Sequence, residues 1–159
     1  MPVGAYGGRR EIMEFVSPQG PVYQAGTLLG NPIAMAAGNA QIEYLQNHTE
    51  IYDEVNKKGE YLEAEFLKSA VKYDIPIRVN RVGSMLSVFF SDSDVTDFKT
   101  TSKCDTERFK RYFNLMLGRG IYLAPSQFEA LFISDAHTDE DLEKTVMAFD
   151  EVMGILKGC

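Results

Sequence analysis

Apolar side chains recur every three or four residues in four stretches of the chain, the spacing of one helix face. The first stretch begins at Pro32, directly after Asn31, and this pair is typical of a helix start. We predict four helices: from Pro32 onward, from 49 to 73, from Asp105 or Thr106 to 117, and after Thr138. Gly59 lies inside the second helix, where we expect close packing and not a break.

Between these helices the pattern is that of strands. Residues 77–82 alternate apolar and polar side chains, residues 85–90 form an apolar run, and Gly83-Ser84 between them predicts a hairpin. Shorter strands are predicted at 121–123 and 131–134, and a surface loop at 91–103. The order of elements predicts an α+β fold, with a small antiparallel sheet and helices on one face.

The first thirty or so residues carry many of the 13 glycines and show no clear periodicity. A short strand could cover 1–6, and one or two helical turns could cover 9–15. Such a segment cannot build a core of its own. We therefore interpret residues 1–32 as the tail of a larger domain, and residues 33–159 as a small C-terminal domain that includes an interdomain helix.

Composition narrows the function classes. The chain has 159 residues and a net charge of −7, which argues against a nucleic-acid surface because phosphate binding needs clustered Lys and Arg. We find no apolar run long enough for a membrane span and no signal peptide, and we expect a cytoplasmic protein. Cys104 and Cys159 are expected to be free thiols. His48 and His137 lack partners at ligand spacing, so no metal site is expected.

The run from Gly20 to Pro32 is the main candidate for ligand chemistry. Gly26 allows a ligand close to the backbone, and Thr27 offers a hydroxyl and an N–H group. A polar loop that leads into a helix N-terminus suits an anion such as a phosphate. The alternative is an ordinary turn glycine followed by a threonine at a helix entry.

Glu129 is the second candidate, in an apolar loop between two predicted strands and flanked by Phe128 and Ala130. A carboxylate at this place is either exposed by the turn or paired at a site. Ser126 could support the same loop.

Three segments together resemble the glutamate-1-semialdehyde 2,1-aminomutase family: Met-Pro-Val-Gly-Ala-Tyr-Gly-Gly-Arg-Arg at 1–10, Tyr-Gln-Ala-Gly-Thr at 23–27, and Leu-Ala-Pro-Ser-Gln-Phe-Glu-Ala at 123–130. The resemblance extends over the whole chain but over only the last third of such an enzyme. It implies a fold-type I enzyme related to class III aminotransferases. It also implies a pyridoxal phosphate cofactor, a homodimer, and conversion of glutamate-1-semialdehyde to 5-aminolevulinate in tetrapyrrole synthesis. By this resemblance, residues 1–32 belong to the cofactor-binding large domain.

The resemblance also implies roles for individual residues. Gly26 and Thr27 match the positions where the family reaches the cofactor phosphate of the partner subunit. Glu129 matches a substrate-binding position where related aminotransferases tend to have an arginine for the substrate carboxylate. Leu29 departs from the small polar residue that relatives usually carry, which could alter packing near the phosphate.

The same resemblance places the lysine that holds the cofactor as a Schiff base a few residues before the segment matching Met1. The first lysine here is Lys57. We therefore expect no catalytic residue in this chain, no retained cofactor and no activity of the chain alone. Lys57 and Lys58 are expected to be surface charges.

Two alternatives stay open: part of an ordinary class III aminotransferase, which Glu129 disfavours, or a non-catalytic dimerisation module. If the chain folds alone, we expect self-association through two patches that a larger domain would otherwise cover. These patches are the face formed by Ala36, Ala37 and Ala40, and the segment around Val22 and Tyr23.

Overall fold

The computed structural model describes residues 3–158 as two compact units, Met1–Thr49 and Glu50–Cys159, and each is described by itself. The first contains two helices, α1 (Arg10–Met13) and α2 (Pro32–Asn47). The elements of the second, in chain order, are α3 (Glu50–Tyr73), β1 (Arg78–Val82), β2 (Met85–Phe89), α4 (Phe98–Thr101), α5 (Thr106–Leu117), β3 (Leu131–Phe132) and α6 (Asp139–Lys157).

The start of the first unit is mostly irregular. One helical turn, α1, confirms the helical prediction for residues 9–15. The strand predicted at 1–6 is wrong over the described residues 3–6, which have no strand partner, and its first two residues lie outside the described part. The chain instead closes a small turn after α1, where Ser17 N–H donates to Val22 O and Val22 N–H donates to Phe15 O, both at 2.8 Å.

Helix α2 begins as predicted, but a different side of it is packed. Its buried residues are Ala34 and Gly38, and a Cβ on Gly38 would lie 3.0 Å from Val3 Cγ1. Ile33, Ala36 and Tyr44, on the face that the apolar spacing marked, are exposed. The close approach expected from the alanines is instead provided by Gly38, which directly follows Ala37.

The second unit is built on a three-stranded antiparallel sheet in the order β1-β2-β3. The pairs Arg78 with Phe89 and Val82 with Met85 mark the ends of the first ladder, so the predicted hairpin is confirmed. Gly83 has φ +60° at the first central position of the two-residue turn, where a type II′ turn prefers glycine.

The last strand is shorter than predicted. β3 has two residues, not four. Ile133 N–H still donates to Ser84 O at 2.9 Å, and Ser134 N–H donates to the His137 ring at 3.1 Å, where the chain turns toward α6. The strand predicted at 121–123 is wrong. Ile121 N–H donates to Met116 O at 3.1 Å, across Gly120 at φ +81°, so these residues extend the turn that ends α5.

The segment 91–103 is not wholly a loop, which corrects the prediction. α4 forms there because Asp97 accepts from Thr100 N–H, and Thr100 Oγ1 accepts in return from Asp97 N–H. This reciprocal cap stabilises one turn without any apolar period. Thr138 and Asp141 form the same kind of cap on α6, as its sequence predicted.

The core lies on one face of the sheet, where α3, α5 and α6 pack on Leu86 and Val88 of β2. Phe66 of α3 stacks on Phe149 of α6 with ring centroids 4.0 Å apart. Phe89 points to the opposite face, where Val95 and Cys104 cover it. The α+β class is confirmed, and the helices occupy one face as expected.

Candidate functional site

Gly26 and Thr27 lie in an irregular loop that ends at the N-terminus of α2. Both residues are exposed, and they line an open concavity of about 640 Å³ together with residues 3–6 and Met35. The loop is held by Leu29 N–H donating to Gly26 O at 3.0 Å and Asn31 N–H donating to Leu28 O at 3.1 Å. Thr27 therefore faces an open space of the first unit and is not part of a packed core.

The N-terminus of α2 does not offer free N–H groups to an anion. Asn31 Oδ1 accepts from Ile33 N–H and Ala34 N–H, each at 3.1 Å, and Asn31 O accepts from Met35 N–H at 2.9 Å. Pro32 has no N–H. Direct donors for an anion at this place would have to come from the loop before Asn31.

Nothing among residues 3–158 requires glycine at position 26. Its φ is not in the left-handed region, and a Cβ there would meet only the Leu29 side chain, at 3.5 Å, an ordinary contact distance. The glycine is therefore explained by neither strain nor internal crowding. A group outside this chain that approaches the backbone would explain it, which is the chemistry expected of a phosphate loop.

The Leu29 side chain is exposed and lies beside Gly26, since a Cβ on Gly26 would stand 3.5 Å from Leu29 Cδ1. An apolar side chain therefore shields one side of the loop that carries Thr27.

Glu129 is exposed in the loop between α5 and β3. Glu129 N–H donates to Ser126 O at 3.1 Å, and Ser126 Oγ accepts from Phe128 N–H at 3.2 Å. Ser126 thus supports this loop, as the sequence suggested. Glu129 lines a concavity of about 580 Å³ with mostly apolar walls, including Phe66 and Leu123.

Gln127 anchors the same loop, and sequence reasoning missed it. The residue is buried, and its Nε2 donates to Thr101 O of α4 at 3.1 Å. Phe128, next in the chain, lies against Phe98 with ring centroids 5.7 Å apart. The position of Glu129 therefore depends on α4, an element whose existence the sequence pattern did not reveal.

Lys58 is not a simple surface charge, which corrects a further prediction. Its Nζ donates to Asp135 O at 3.0 Å and lies 3.6 Å from the Asp135 carboxylate, so it ties α3 to the loop before α6. Lys57 is exposed, as expected. His137 accepts from Ser134 N–H and so has a structural role in the same loop.

Within residues 3–158, no cluster of His, Cys, Asp or Glu has the arrangement needed to hold a metal ion. Over the same residues, no helix is both long and apolar enough to cross a membrane. Cys104 is buried as a free thiol, and burial raises its pKa. Cys159 lies outside the described residues.

Comparison with known proteins decides the family. The model of the class-III aminotransferase family matches residues 1–149. The chain belongs to the class-III aminotransferase family. The predicted resemblance is therefore confirmed at the level of the family and covers nearly the whole chain.

Relatives within this family narrow the similarity further. The chain is 54% identical over 155 residues to glutamate-1-semialdehyde 2,1-aminomutase 2 of Lachnoclostridium phytofermentans, covering 98% of this chain and 36% of that protein. It is 56% identical over 153 residues to glutamate-1-semialdehyde 2,1-aminomutase of Ruminiclostridium cellulolyticum, covering 96% and 35%. The chain thus spans about a third of the length of these relatives.

Solved structures show the same fold at lower identity. An omega-transaminase from Sphaerobacter thermophilus matches with a TM-score of 0.75 and 22% identity, over 96% of this chain and 35% of that one. A beta-phenylalanine aminotransferase from Variovorax paradoxus matches with a TM-score of 0.72 and 25% identity, over 93% and 34%. The chain has the fold of a C-terminal portion of fold-type I transaminases.

The structure brings Gly26 and Thr27 together in the first unit and holds Glu129 in the second. The division at residue 49 describes compactness, and the predicted domain boundary between 32 and 33 stays a prediction. The assignments of Gly26 and Thr27 to the cofactor and of Glu129 to the substrate also stay predictions.

Proposed function

We propose that this chain is the C-terminal part of an aminomutase that converts glutamate-1-semialdehyde to 5-aminolevulinate, an early step of tetrapyrrole synthesis, in the cytoplasm. The observation that carries the proposal is the identity of 54–56% over nearly all of the chain to proteins named for this activity.

The cofactor of the proposed enzyme is pyridoxal phosphate, which acts as an electron sink for bonds at the carbon next to the substrate nitrogen. In the proposal, Gly26 and Thr27 hold its phosphate in the partner subunit of a homodimer. The loop supports this role, because it is exposed, opens on a concavity and has a glycine that no described residue of the chain requires. The Thr27 hydroxyl and N–H are the donors offered to the phosphate oxygens.

Glu129 in this proposal lies at the substrate. A carboxylate there repels the carboxylate of a second amino acid, whereas an arginine would bind it. This charge disfavours exchange with an external amino donor and suits transfer of an amino group within one molecule. Its exposure at the rim of an apolar concavity leaves the charge available to a ligand.

The test uses the full-length protein that contains this chain, supplied with glutamate-1-semialdehyde and assayed for 5-aminolevulinate. We expect turnover without any added amino donor. Substitution Glu129→Gln is expected to raise transamination with an external amino acid, because the repelling charge is gone. Efficient two-substrate transamination by the unsubstituted protein would instead identify an ordinary class III aminotransferase.

The chain alone is proposed to be inactive. Lys58 is engaged with Asp135, and both Lys57 and Lys58 lie on α3, so we assign neither of them to the cofactor. Borohydride reduction of the chain mixed with pyridoxal phosphate, followed by mass spectrometry, tests this directly. Stoichiometric labelling of one lysine would contradict the proposal, and scattered low labelling is expected.

A further inference from the structure

Tyr112 of α5 has a hydroxyl that the fold buries without an apparent use. The side chain is 1% exposed and lies edge-on to the rings of Phe90, Phe109 and Phe149 at centroid distances of 5.5–5.8 Å. Among the described residues, the hydroxyl has no hydrogen-bond partner. Burying a donor unpaired costs about 1–3 kcal/mol. A phenylalanine would fill the same space without that cost, so we expect the hydroxyl to have a hydrogen-bond partner.

Tyr112 lines a small cavity. Its walls also include Val88 of β2, Ala124, Glu129 of the loop before β3, and Leu131, the first residue of β3. The centre of a water molecule has about 10 Å³ in which to lie. This space suffices for one water molecule and is too small for a larger ligand.

The cavity exists because the segment that leads into β3 separates from β2 at this point. Ile133 N–H donates to Ser84 O, and Leu86 is paired with Leu131. Continued in an antiparallel ladder, this register would direct the main-chain groups of Val88 at Glu129. Glu129 N–H instead donates to Ser126 O at 3.1 Å. The main-chain groups of Val88 therefore face the cavity and not a neighbouring strand.

We propose that one water molecule is bound in this cavity, where it accepts a hydrogen bond from the Tyr112 hydroxyl and links it to the main chain of Val88 and to the loop that carries Glu129. A buried water needs two to four polar partners, and the Tyr112 hydroxyl and the main chain of Val88 supply two of them. Burial raises the pKa of Tyr112, so its hydroxyl stays protonated and remains a donor at neutral pH.

The water site makes Tyr112 a positioning residue for Glu129, a consequence that rests on the proposed function. The core of the second unit would fix one end of the loop through this water, and Gln127 would fix the middle through α4. Loss of the Tyr112 hydroxyl would leave the fold intact and let the Glu129 loop shift, because the ring contacts of a phenylalanine are the same.

The test compares crystal structures of the unsubstituted chain and of the variant Tyr112→Phe, at a resolution that shows ordered waters. We expect a water within about 3.2 Å of the Tyr112 hydroxyl oxygen, and its loss from the variant. A cavity without density in the unsubstituted chain, or a Tyr112 hydroxyl bonded directly to the Glu129 carboxylate, would overturn the water site.

The positioning role is tested in the full-length protein by steady-state kinetics with glutamate-1-semialdehyde. Tyr112→Phe is expected to raise KM several-fold while kcat changes by less than about twofold. Tyr52→Phe, which removes a hydroxyl from an exposed tyrosine of α3 away from this concavity, is the matched control and should change neither constant. Equal constants for Tyr112→Phe and the unsubstituted protein would overturn positioning. A full-length protein without any aminomutase activity would overturn the proposed function, and the electron density would still decide the water site.

Discussion

The carbonyl oxygen of Gly83 lies 2.7 Å from the place where a Cβ on Gly59 would stand, so the middle of α3 touches the turn of the β1–β2 hairpin through two glycines. The same oxygen accepts a hydrogen bond from Arg81 Nη1 at 2.9 Å, and Arg81 in turn pairs with Glu63 of α3 at 2.6 Å. Helix and hairpin are therefore fixed to each other on both sides of this contact.

Gly59→Ala is expected to destabilise the chain although it improves helix propensity. Alanine gains about 1 kcal/mol over glycine in a helix interior, but overpacking against an immovable backbone costs typically about 1–3 kcal/mol. We expect a lower midpoint of urea unfolding at unchanged slope. Lys57→Ala, at an exposed position of the same helix, should leave the midpoint nearly unchanged. A midpoint that rises in Gly59→Ala would show that the turn yields easily.

The Gly59 contact shows which part of the packing can be predicted from the sequence and which part cannot. A glycine inside an apolar helix pattern predicts close packing, and that prediction is confirmed. The partner, the turn at Gly83, follows only from the tertiary arrangement. The caps at Asn31, Asp105 and Thr138 were predictable because a cap is local chemistry within four residues. Helix α4 was not predictable, because no periodic apolar pattern accompanies its reciprocal cap.

The candidate site also has features that the sequence predicts and features that only the tertiary structure shows. The sequence located Gly26, Thr27 and Glu129 in loops, since glycine and polar residues between periodic segments mark loops. It did not reveal Gln127 as the anchor of the Glu129 loop, because a buried glutamine is unusual and its partner, Thr101, lies far along the chain. The strand predicted at 121–123 does not form, although its residues favour strands, because the turn at Gly120 overrides their propensity.

Asp150 on α6 makes the chain sensitive to acid. Its carboxylate accepts from Lys72 Nζ at 2.7 Å, Ser69 Oγ at 2.9 Å and the Tyr73 hydroxyl at 3.1 Å, all on α3. The hydrogen bond from Lys72 is the main reason that the pKa of Asp150 lies below its ordinary value of 3.8. A depressed pKa contributes stability that is present above pH 3.8 and is lost as the pH falls through the folded pKa.

Asp150→Asn should therefore unfold at lower urea than the unsubstituted chain at pH 7, because Lys72 loses its charged partner. The difference between the two proteins should shrink below pH 3.8, where the unsubstituted chain loses the same contribution. Glu143→Gln, at an exposed position of the same helix, is the control and should follow the unsubstituted chain at both pH values. A constant difference between the two proteins across this pH range would refute the linkage.

Asn31→Ala should open the first turn of α2. Its side chain is the acceptor for two N–H groups of that turn, and loss of such a cap costs about 1 kcal/mol. We expect faster amide hydrogen exchange at Ile33 and Ala34, while amides of α5 keep their rates. Asn31→Asp retains an oxygen acceptor and should keep the slow exchange. Unchanged exchange in Asn31→Ala would mean that other groups satisfy these amides.

Self-association of the chain is expected through the first unit, where apolar side chains are exposed. Tyr23 is 82% exposed and Ile33 68%, and Ala36 and Ala40 lie exposed on α2. Sedimentation of the chain should show mass above the monomer that rises with concentration. Ala36→Glu should shift it toward monomer, because a charge cannot be buried unpaired. Ala64→Glu, at an exposed position of α3, is the control and should not change the mass. A chain that stays monomeric at high concentration without any substitution would contradict the prediction.

Thr27→Val in the full-length protein should weaken the binding of pyridoxal phosphate and leave the fold unchanged. Valine has nearly the volume of threonine but no hydroxyl, and a hydrogen bond to a charged group contributes about 1.5–3 kcal/mol. This energy corresponds to an affinity loss of roughly 10–100-fold, measured by titrating the apoprotein with the cofactor. Thr27→Ser restores the hydroxyl and should recover most of the affinity, while Thr96→Val, in an exposed loop of the second unit, should have no effect. If Thr27→Val binds the cofactor as tightly as the unsubstituted protein, the hydroxyl does not contact the phosphate, and the exposed loop before α2 has another role.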